Sequence, residues 1–409
     1  MAVIMIVPSA WAASPGELDP SFSDGFVLLP EQQVAVEALG SGKALAVSSN
    51  WTVRRFTASG PRDLSYGGGD GVAVPDFGAD AQRASGSALQ PDGKLVIVGT
   101  VIEGLATKTA VARLTAAGAL DPTFSGDGIR TIAAGDVGFI GNSVAVAPSG
   151  RIVIAGSTGA EPGTGSIADQ DAAVIALTST GSRVGAFGGS DGIATADVAG
   201  NRDVGEGVDV QPDGRIVVVA ASIRPADGMS LMGVVRFTQE GALDLTFSQD
   251  ARVVITFRSD VESWGGSAGS DVVVNPSTGE ISVGGVVSYG SNDDFGYSFA
   301  VARLSGSGTV LRRWVTLPDG HFGSVRAIDL IGRDVIAVGE VRDSVADCCG
   351  WAIVRFGSIE YDNIVFLPDD YNSGAFDVSV EGGKAEVVGS VEAMVNGQSR
   401  RGAIARFIA

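Results

Sequence analysis

A β-propeller of seven four-stranded blades is the fold that this sequence predicts. The stretch from Ala88 to Gly128 returns about seven times along the chain, in copies that have diverged to different degrees. Each copy contains short runs rich in β-branched residues, separated by turn residues and without helical periodicity. One small sheet cannot cover both of its own apolar faces, so the copies must stack on their neighbours, as propeller blades do.

Four strands are predicted in each copy. In the best-formed copy, residues 94–99 and 110–114 read as strands that are buried on both faces. The Pro-Asp-Gly sequence at 91–93 is tight-turn chemistry, so the runs on either side of it should form a hairpin. A second turn at 118–124, in which Asp121 caps backbone N–H groups, leads to a fourth strand at 129–132.

The spacing of the copies supports this interpretation. The gaps between the residues that end the third strand are 58, 63, 60, 67, 52 and 51 residues. A right-handed β-solenoid is the structural rival, although its period is usually shorter. The residues that mark these third-strand ends are Arg55, Arg113, Ala176, Arg236, Arg303, Arg355 and Arg406.

The two ends of the chain share one split repeat. Residues 26–29 precede the first complete hairpin, whereas the last copy stops directly after its third strand at 406–409. The turn at 16–22 also matches the turn at 118–124. We therefore expect residues 26–29 to join the C-terminal blade by pairing with residues 403–408, which closes the ring without a free edge.

The motifs QPDGKLVIVG, VARL and LDPTFSGDG resemble the delta-60 repeat family of bacterial, mostly secreted, β-propeller-like proteins. The resemblance covers nearly the whole chain after residue 15. The second and fourth copies match best, the third lacks the arginine, and the sixth and seventh keep only the hairpin and an Arg-Phe pair. The resemblance implies a propeller fold and an exported location, but no activity and no catalytic residues.

Residues 1–13 look like the end of a secretory signal peptide. Residues 1–7 are apolar, and Ala10-Trp11-Ala12 fits a small-residue cleavage site. No Lys or Arg precedes Lys43, so either the true start lies upstream or the segment is only an apolar leader. We expect a secreted, periplasmic or cell-surface protein in which residues 14–409 form a single propeller domain of seven repeats.

Composition limits the classes of partner. The chain has 409 residues, 47 of them acidic and 28 basic, which gives a net charge of −19. Such a surface repels phosphate backbones and anionic lipids, which argues against nucleic-acid binding. Gly and charges interrupt every apolar run before it reaches the ~18 residues that span a bilayer, so no membrane insertion is expected. The oligomeric state is left open.

The recurring arginine at the end of the third strand is predicted to be structural. A charge in an apolar strand needs a partner, and the following turn supplies an aspartate in several copies. The third copy has Ala176 and Val184 at these two places and so loses both charges together. The predicted pairs are Arg55 with Asp63, Arg113 with Asp121, Arg236 with Asp244, and Arg406 with Asp19.

Catalytic machinery is hard to find in the sequence. His321 is the only histidine, and no Gly-x-Ser-x-Gly elbow accompanies it. Asp-Gly endings such as the one at 70–71 suggest calcium loops, but the DxDxDG spacing is absent, so no metal or cofactor is assigned. The adjacent Cys348 and Cys349 are either a loop thiol pair or a strained vicinal disulfide.

The loops after the second and fourth strands open on one face and vary most in length, so the sequence favours this face for a ligand. Exposed aromatic rings beside carboxylates suit sugars or a protein partner. The opposite face carries Pro-Asp-Gly turns that are expected to be too short to shape a pocket. The predicted ligand-binding residues are Phe77, Trp264, Phe295, His321, Trp351 and Tyr371.

Two functions are compatible with these features. The first is an exported, non-enzymatic binding or scaffold propeller that holds a glycan or a protein on the variable-loop face. The alternative is an extracellular carbohydrate-active enzyme, a hydrolase or lyase that uses two loop carboxylates. The loops can also be ordinary solvated segments whose aromatic rings cover the blade edges.

Overall fold

The computed structural model describes fourteen ranges of the chain. The predicted leader at 1–13 lies outside them, as do His321, Tyr371 and Cys348. The described ranges are 16–104, 106–132, 138–159, 170–189, 192–198, 200, 202–257, 264–291, 294–316, 322–342, 349–357, 361–365, 373–395 and 398–409.

The described residues form 28 strands in seven four-stranded sheets. This is the predicted seven-bladed β-propeller of antiparallel blades. The only helical element in these ranges is a single 3₁₀ turn at Ser23–Gly25. No helix found in the described part of the chain is long and apolar enough to cross a membrane.

Chain contacts divide the protein into two compact units, residues 1–72 with 316–409, and residues 73–315. The first unit holds blades 1, 6 and 7. Blade 1 comprises β2 (Gln33–Leu39), β3 (Lys43–Ser48), β4 (Val53–Phe56) and β5 (Val72–Ala73), the last of which spans the unit boundary. Blade 6 comprises β22 (Phe322–Ile331), β23 (Asp334–Arg342), β24 (Cys349–Phe356) and β25 (Tyr361–Val365). Blade 7 comprises β26 (Gly374–Glu381), β27 (Lys384–Val395), β28 (Gln398–Ile408) and the N-terminal β1 (Phe26–Leu29).

The second unit holds blades 2 to 5. Blade 2 comprises β6 (Ala81–Leu89), β7 (Leu95–Glu103), β8 (Ala106–Leu114) and β9 (Ile129–Ile132). Blade 3 comprises β10 (Ile140–Val146), β11 (Ile152–Ser157), β12 (Ala172–Leu177) and β13 (Ile193–Ala196). Blade 4 comprises β14 (Arg202–Val210), β15 (Ile216–Ile223), β16 (Ser230–Phe237) and β17 (Arg252–Ile255). Blade 5 comprises β18 (Trp264–Val274), β19 (Ile281–Ser291), β20 (Asp294–Leu304) and β21 (Val310–Thr316).

The predicted closure of the chain ends is confirmed. Strand β1 runs antiparallel to β28, with Phe26 opposite Ala405 and Leu29 opposite Gly402. The preceding segment continues this contact, because the Asp19 N–H donates to the carbonyl of Arg406 at 2.8 Å. Two segments nearly 380 residues apart in sequence therefore share one blade, and the outer edge of β28 is paired.

Each blade has a bulge in its first strand, which explains a recurring glycine in the second strand. The pairing of the first two strands shifts register once in six blades and twice in blade 5. A Cβ on Gly156 or Gly285 would overlap a carbonyl oxygen of the bulged strand, that of Ile140 or Ala268 respectively. Close backbone approach therefore requires glycine at these two positions, whereas blade 4 has Ala220 at the corresponding place in its register.

The core lies between the faces of neighbouring blades. In the second unit, side chains such as Val153, Val218 and Val235 are fully buried in one cluster shared by blades 3 and 4. Strands buried on both faces lose the polar-apolar alternation of a one-sided sheet, which is why they read as continuous apolar runs. Burial of these faces is the main stabilising contribution to the stacked blades.

Candidate functional site

An arginine clamp joins neighbouring blades in the second unit. Nε of Arg113 donates to Oδ2 of Asp121 at 2.8 Å, and its Nη2 donates to Oγ1 of Thr123 at 2.9 Å. The guanidinium carbon lies 5.0 Å from the centre of the Phe124 ring. The remaining Nη1 donates to the carbonyl of Ser179, which belongs to the next blade. Arg113 therefore holds its own turn and the neighbouring turn together.

The same clamp recurs one junction further on. Arg236 lies 2.9 Å from Asp244 and 4.7 Å from the centre of the Phe247 ring. Its Nη1 donates to the carbonyl of Gly306 in blade 5. Arg236 and Asp244 are only 4% and 5% exposed, so their desolvation is compensated by this shared set of partners. The arrangement is structural, because both terminal nitrogens of the guanidinium donate to groups of the protein itself.

In the first unit, blade 1 follows the predicted pattern and blade 7 differs from it. Arg55 pairs with Asp63 at 2.9 Å. Arg406, however, donates to Oε1 of Glu386 at 2.6 Å, and Asp19 accepts from Lys384 at 2.6 Å. The predicted Arg406–Asp19 ion pair is thus replaced, because Glu386 stands directly opposite Arg406 in the β27–β28 register.

The two arginines without an aspartate in the following turn have partners elsewhere. Arg355 pairs with Asp334 at 2.8 Å, and this aspartate comes from the start of the second strand of blade 6. The guanidinium carbon of Arg303 lies 5.3 Å from the centre of the Trp314 ring, which comes from the fourth strand of blade 5. Sequence comparison between copies missed both partners because they occupy different positions in the repeat.

The clamps shift the pKa of their carboxyl groups. Burial alone would raise the pKa of Asp121, but the hydrogen bonds from Thr123 and the charges of Arg113 and Lys94 hold it below its ordinary value. The same balance lowers the pKa of Asp244. Burial raises the pKa of Glu386 to about 7, against the opposing attraction of Arg406.

The predicted ligand-binding residues fall into four groups. Phe77 lies half-buried in the loop before β6. Trp351 is buried at 1% exposure in the core of the first unit, where its Nε1 donates to the carbonyl of Ser390 at 3.0 Å. Trp264 and Phe295 lie in β18 and β20, where only their backbone is described. His321 and Tyr371 lie outside the described residues, so the structure gives the predicted set no common site.

Phe77 belongs to a surface that we term the blade 2 loop patch, made of residues 74–80 and 102–104. The Asp80 N–H donates to the carbonyl of Ile102 at 3.0 Å, and Oδ2 of Asp80 accepts from the Gly104 N–H at 2.8 Å. These two bonds fasten the loop to the tip of the β7–β8 hairpin. Ile102 is 41% exposed, and Asp76 is exposed as well. The patch therefore combines an exposed aliphatic side chain, a half-buried aromatic residue and two carboxylates within two hydrogen-bonded segments.

A small cleft opens on the opposite end of the blades, between the first hairpin turns of blades 3 and 4. Its volume is about 140 Å³, and Ala147, Arg151, Gly214, Ile216 and Gln239 are among its lining residues. The expectation that short turns cannot shape a pocket is therefore wrong at this junction. No set of three or more His, Cys, Asp or Glu residues within the described ranges is arranged to hold a metal ion.

Known proteins match this chain in fold more than in sequence. The model of a family described as "Domain of unknown function (DUF5122) beta-propeller" matches residues 90–124 and 211–247, the best-formed turns of the second and fourth copies. These segments span 72 of the 409 residues, and they support a propeller repeat family. No curated protein matches the chain in sequence.

Three solved structures illustrate the likeness. The polysaccharide lyase Uly1 is 9% identical with a TM-score of 0.49, and the match covers 98% of this chain and 94% of the lyase. The C-terminal WD40 domain of Sif2 is 12% identical with a TM-score of 0.48, covering 94% and 98%. YCF48 bound to D1 peptide is 11% identical with a TM-score of 0.49, covering 98% and 99%. At these values the likeness assigns neither a ligand nor an activity to this chain.

Proposed function

We propose that this chain is an exported, non-enzymatic binding or scaffold propeller that holds a glycan or a protein ligand on its variable-loop face. The observation that carries the proposal is the blade 2 loop patch. The half-buried Phe77 and two aspartates lie there on a loop that hydrogen bonds fasten to the exposed Ile102 end of β7. The resemblance to the delta-60 repeat family supports the exported location.

The chemistry of the patch suits two ligand classes. Apolar ring and aliphatic surface contacts the C–H face of a sugar, while carboxylates accept hydrogen bonds from its hydroxyl groups. The same surface accommodates a peptide that carries an apolar residue next to a basic one, with the acidic net charge of the chain steering its approach.

Three proteins test the proposal on a glycan array and in a reducing-sugar release assay. These are the wild type, Phe77→Ala and the control Leu245→Ala. Leu245 is 66% exposed at the turn after β16, so the control removes a similar apolar side chain at the opposite end of a blade in the same unit. We expect glycan binding by wild type and Leu245→Ala, at least a tenfold loss in Phe77→Ala, and unchanged melting temperatures.

Other outcomes separate the alternatives. Release of reducing ends by the wild type would show that the protein is a carbohydrate-active enzyme and not a non-enzymatic binding module. Equal loss of binding in both variants would remove the blade 2 loop patch from the proposal. If no glycan on the array binds, a peptide library that combines basic and apolar residues is tested next. Binding of these peptides by the wild type and not by Phe77→Ala would assign the patch to a protein partner. Absence of binding in both assays would refute the proposal.

A further inference from the structure

The cleft between blades 3 and 4 exists because two side chains of the repeat are absent there. At the next junction, Oε1 of Gln211 accepts from Nη1 of Arg236 at 3.0 Å, and its Nε2 donates to the carbonyl of Gly279 at 3.1 Å. The hairpin register makes Ala147 the counterpart of Gln211, and the strand register makes Ala176 the counterpart of Arg236. Neither alanine can fill the space that the larger side chains occupy.

The polar groups that contact Gln211 at the next junction nevertheless have counterparts around the cleft. Gly214, which lines the cleft, occupies the place of Gly279 in its hairpin. Arg151 enters from the start of β11 and donates its Nη1 to the carbonyl of Gln239, the counterpart of Gly306. The cleft thus has the Arg151 guanidinium on one side and the backbone of the Gly214 turn on the other. In blade 4, the Gln211 amide lies between the same two kinds of group.

The remaining walls define what else the ligand must be. Ala147, Val153 and Ile216 are buried apolar side chains, which suit a short methylene chain. Asp213 also lines the cleft and pairs with Arg215, and the chain as a whole is acidic, so an anionic ligand is disfavoured. A neutral group with one acceptor and one donor on the same carbon satisfies these conditions.

We propose that this cleft binds the primary carboxamide of a glutamine side chain from a partner protein. The carboxamide oxygen accepts from the guanidinium of Arg151, and its NH₂ group donates to the carbonyl of Gly214. The ligand therefore takes the place that the Gln211 side chain takes in its own blade. This site lies at the opposite blade end from the blade 2 loop patch, so it stands or falls independently of the proposed function.

Saturation-transfer difference NMR with small probes tests this assignment. The probes are N-acetyl-glutaminamide, N-acetyl-norleucinamide, whose unbranched apolar side chain replaces the side-chain carboxamide, and N-acetylglucosamine. We expect the glutamine probe to bind the wild type with a Kd on the order of millimolar, as befits so few heavy atoms. The norleucine probe should bind at least tenfold more weakly.

Two variants locate the binding. Ala147→Gln places an amide of the protein itself in the cleft. It should therefore raise the melting temperature and weaken binding of the glutamine probe at least tenfold. Arg151→Met removes the donor without adding bulk, and it should weaken the probe similarly even if Ala147→Gln folds poorly. Leu245→Ala should bind as the wild type does.

Several results would overturn the proposal. These are equal binding of the norleucine probe, undiminished binding in Arg151→Met, and no binding of the glutamine probe at 50 mM, an upper limit that we set well above the expected Kd. Tighter binding of N-acetylglucosamine than of the glutamine probe would reassign the cleft to an acetamido sugar and reject a protein partner.

Discussion

The replacement Arg113→Ala is the sharpest test of the clamp. Arg113 and Asp121 are each 3% exposed, and the guanidinium also contacts Thr123, the Phe124 ring and the carbonyl of Ser179. Removing one partner of a buried ion pair costs about 3–5 kcal/mol, since the other charge stays buried without its counterion. The carbonyl in the next blade also loses its donor.

The structure places the expected loss at the lower end of that range. Nζ of Lys94 lies 3.4 Å from Oδ2 of Asp121, and Thr123 donates to Oδ1 through both its backbone and its hydroxyl. Asp121 therefore keeps part of its compensation in Arg113→Ala. We expect the free energy of unfolding to fall by about 3 kcal/mol, measured by urea denaturation at pH 7.

The protein supplies its own control for this prediction. Blade 3 has Ala176 and Val184 where blade 2 has Arg113 and Asp121, so an apolar pair is tolerated at these positions. The double variant Arg113→Ala/Asp121→Val should therefore be more stable than Arg113→Ala by about 1 kcal/mol or more, because no buried charge remains. If Arg113→Ala unfolds at the same urea concentration as the wild type, or if the double variant is the less stable of the two, this account of the clamp is incorrect.

Three further predictions concern burial, charge and closure. Burial raises the pKa of Asp209 to about 6, above the ordinary 3.8, so its stabilising contribution is complete below about pH 4 and is lost as pH rises through 6. Asp209→Asn should remove that loss, which amounts to about 2 kcal/mol between pH 4 and pH 7. Urea titrations of both proteins at the two pH values measure it, and the same difference in free energy of unfolding at both pH values would contradict the reasoning. Trp351→Ala should lower the free energy of unfolding by about 3–5 kcal/mol because the ring is buried and bonded to Ser390, whereas an unchanged melting temperature would make it a surface residue. Deletion of residues 1–32 removes β1 and should lower the melting temperature by more than 10 °C, whereas a melting curve like that of the full chain would show that closure is dispensable.

The sequence by itself determined the fold class, the number of blades and the closure. These follow from local chemistry, because the run of β-branched residues specifies each strand and the Pro-Asp-Gly turn specifies each hairpin. Counting the hairpins gives seven blades, and the split repeat at the ends predicts the pairing of 26–29 with the last strand. Arg113 and Asp121 were also predictable as a pair, because both lie in the same turn of the same copy.

Only the tertiary structure decided which side chains meet across strands and blades. Arg406 forms its ion pair with Glu386 because the two residues lie opposite each other in the β27–β28 register, which the spacing of the turns does not reveal. Trp351 is a core residue because the neighbouring blade covers its ring. The cleft at Ala147 exists because a glutamine and an arginine of the repeat are missing together, and their shared place is defined only when adjacent blades are stacked.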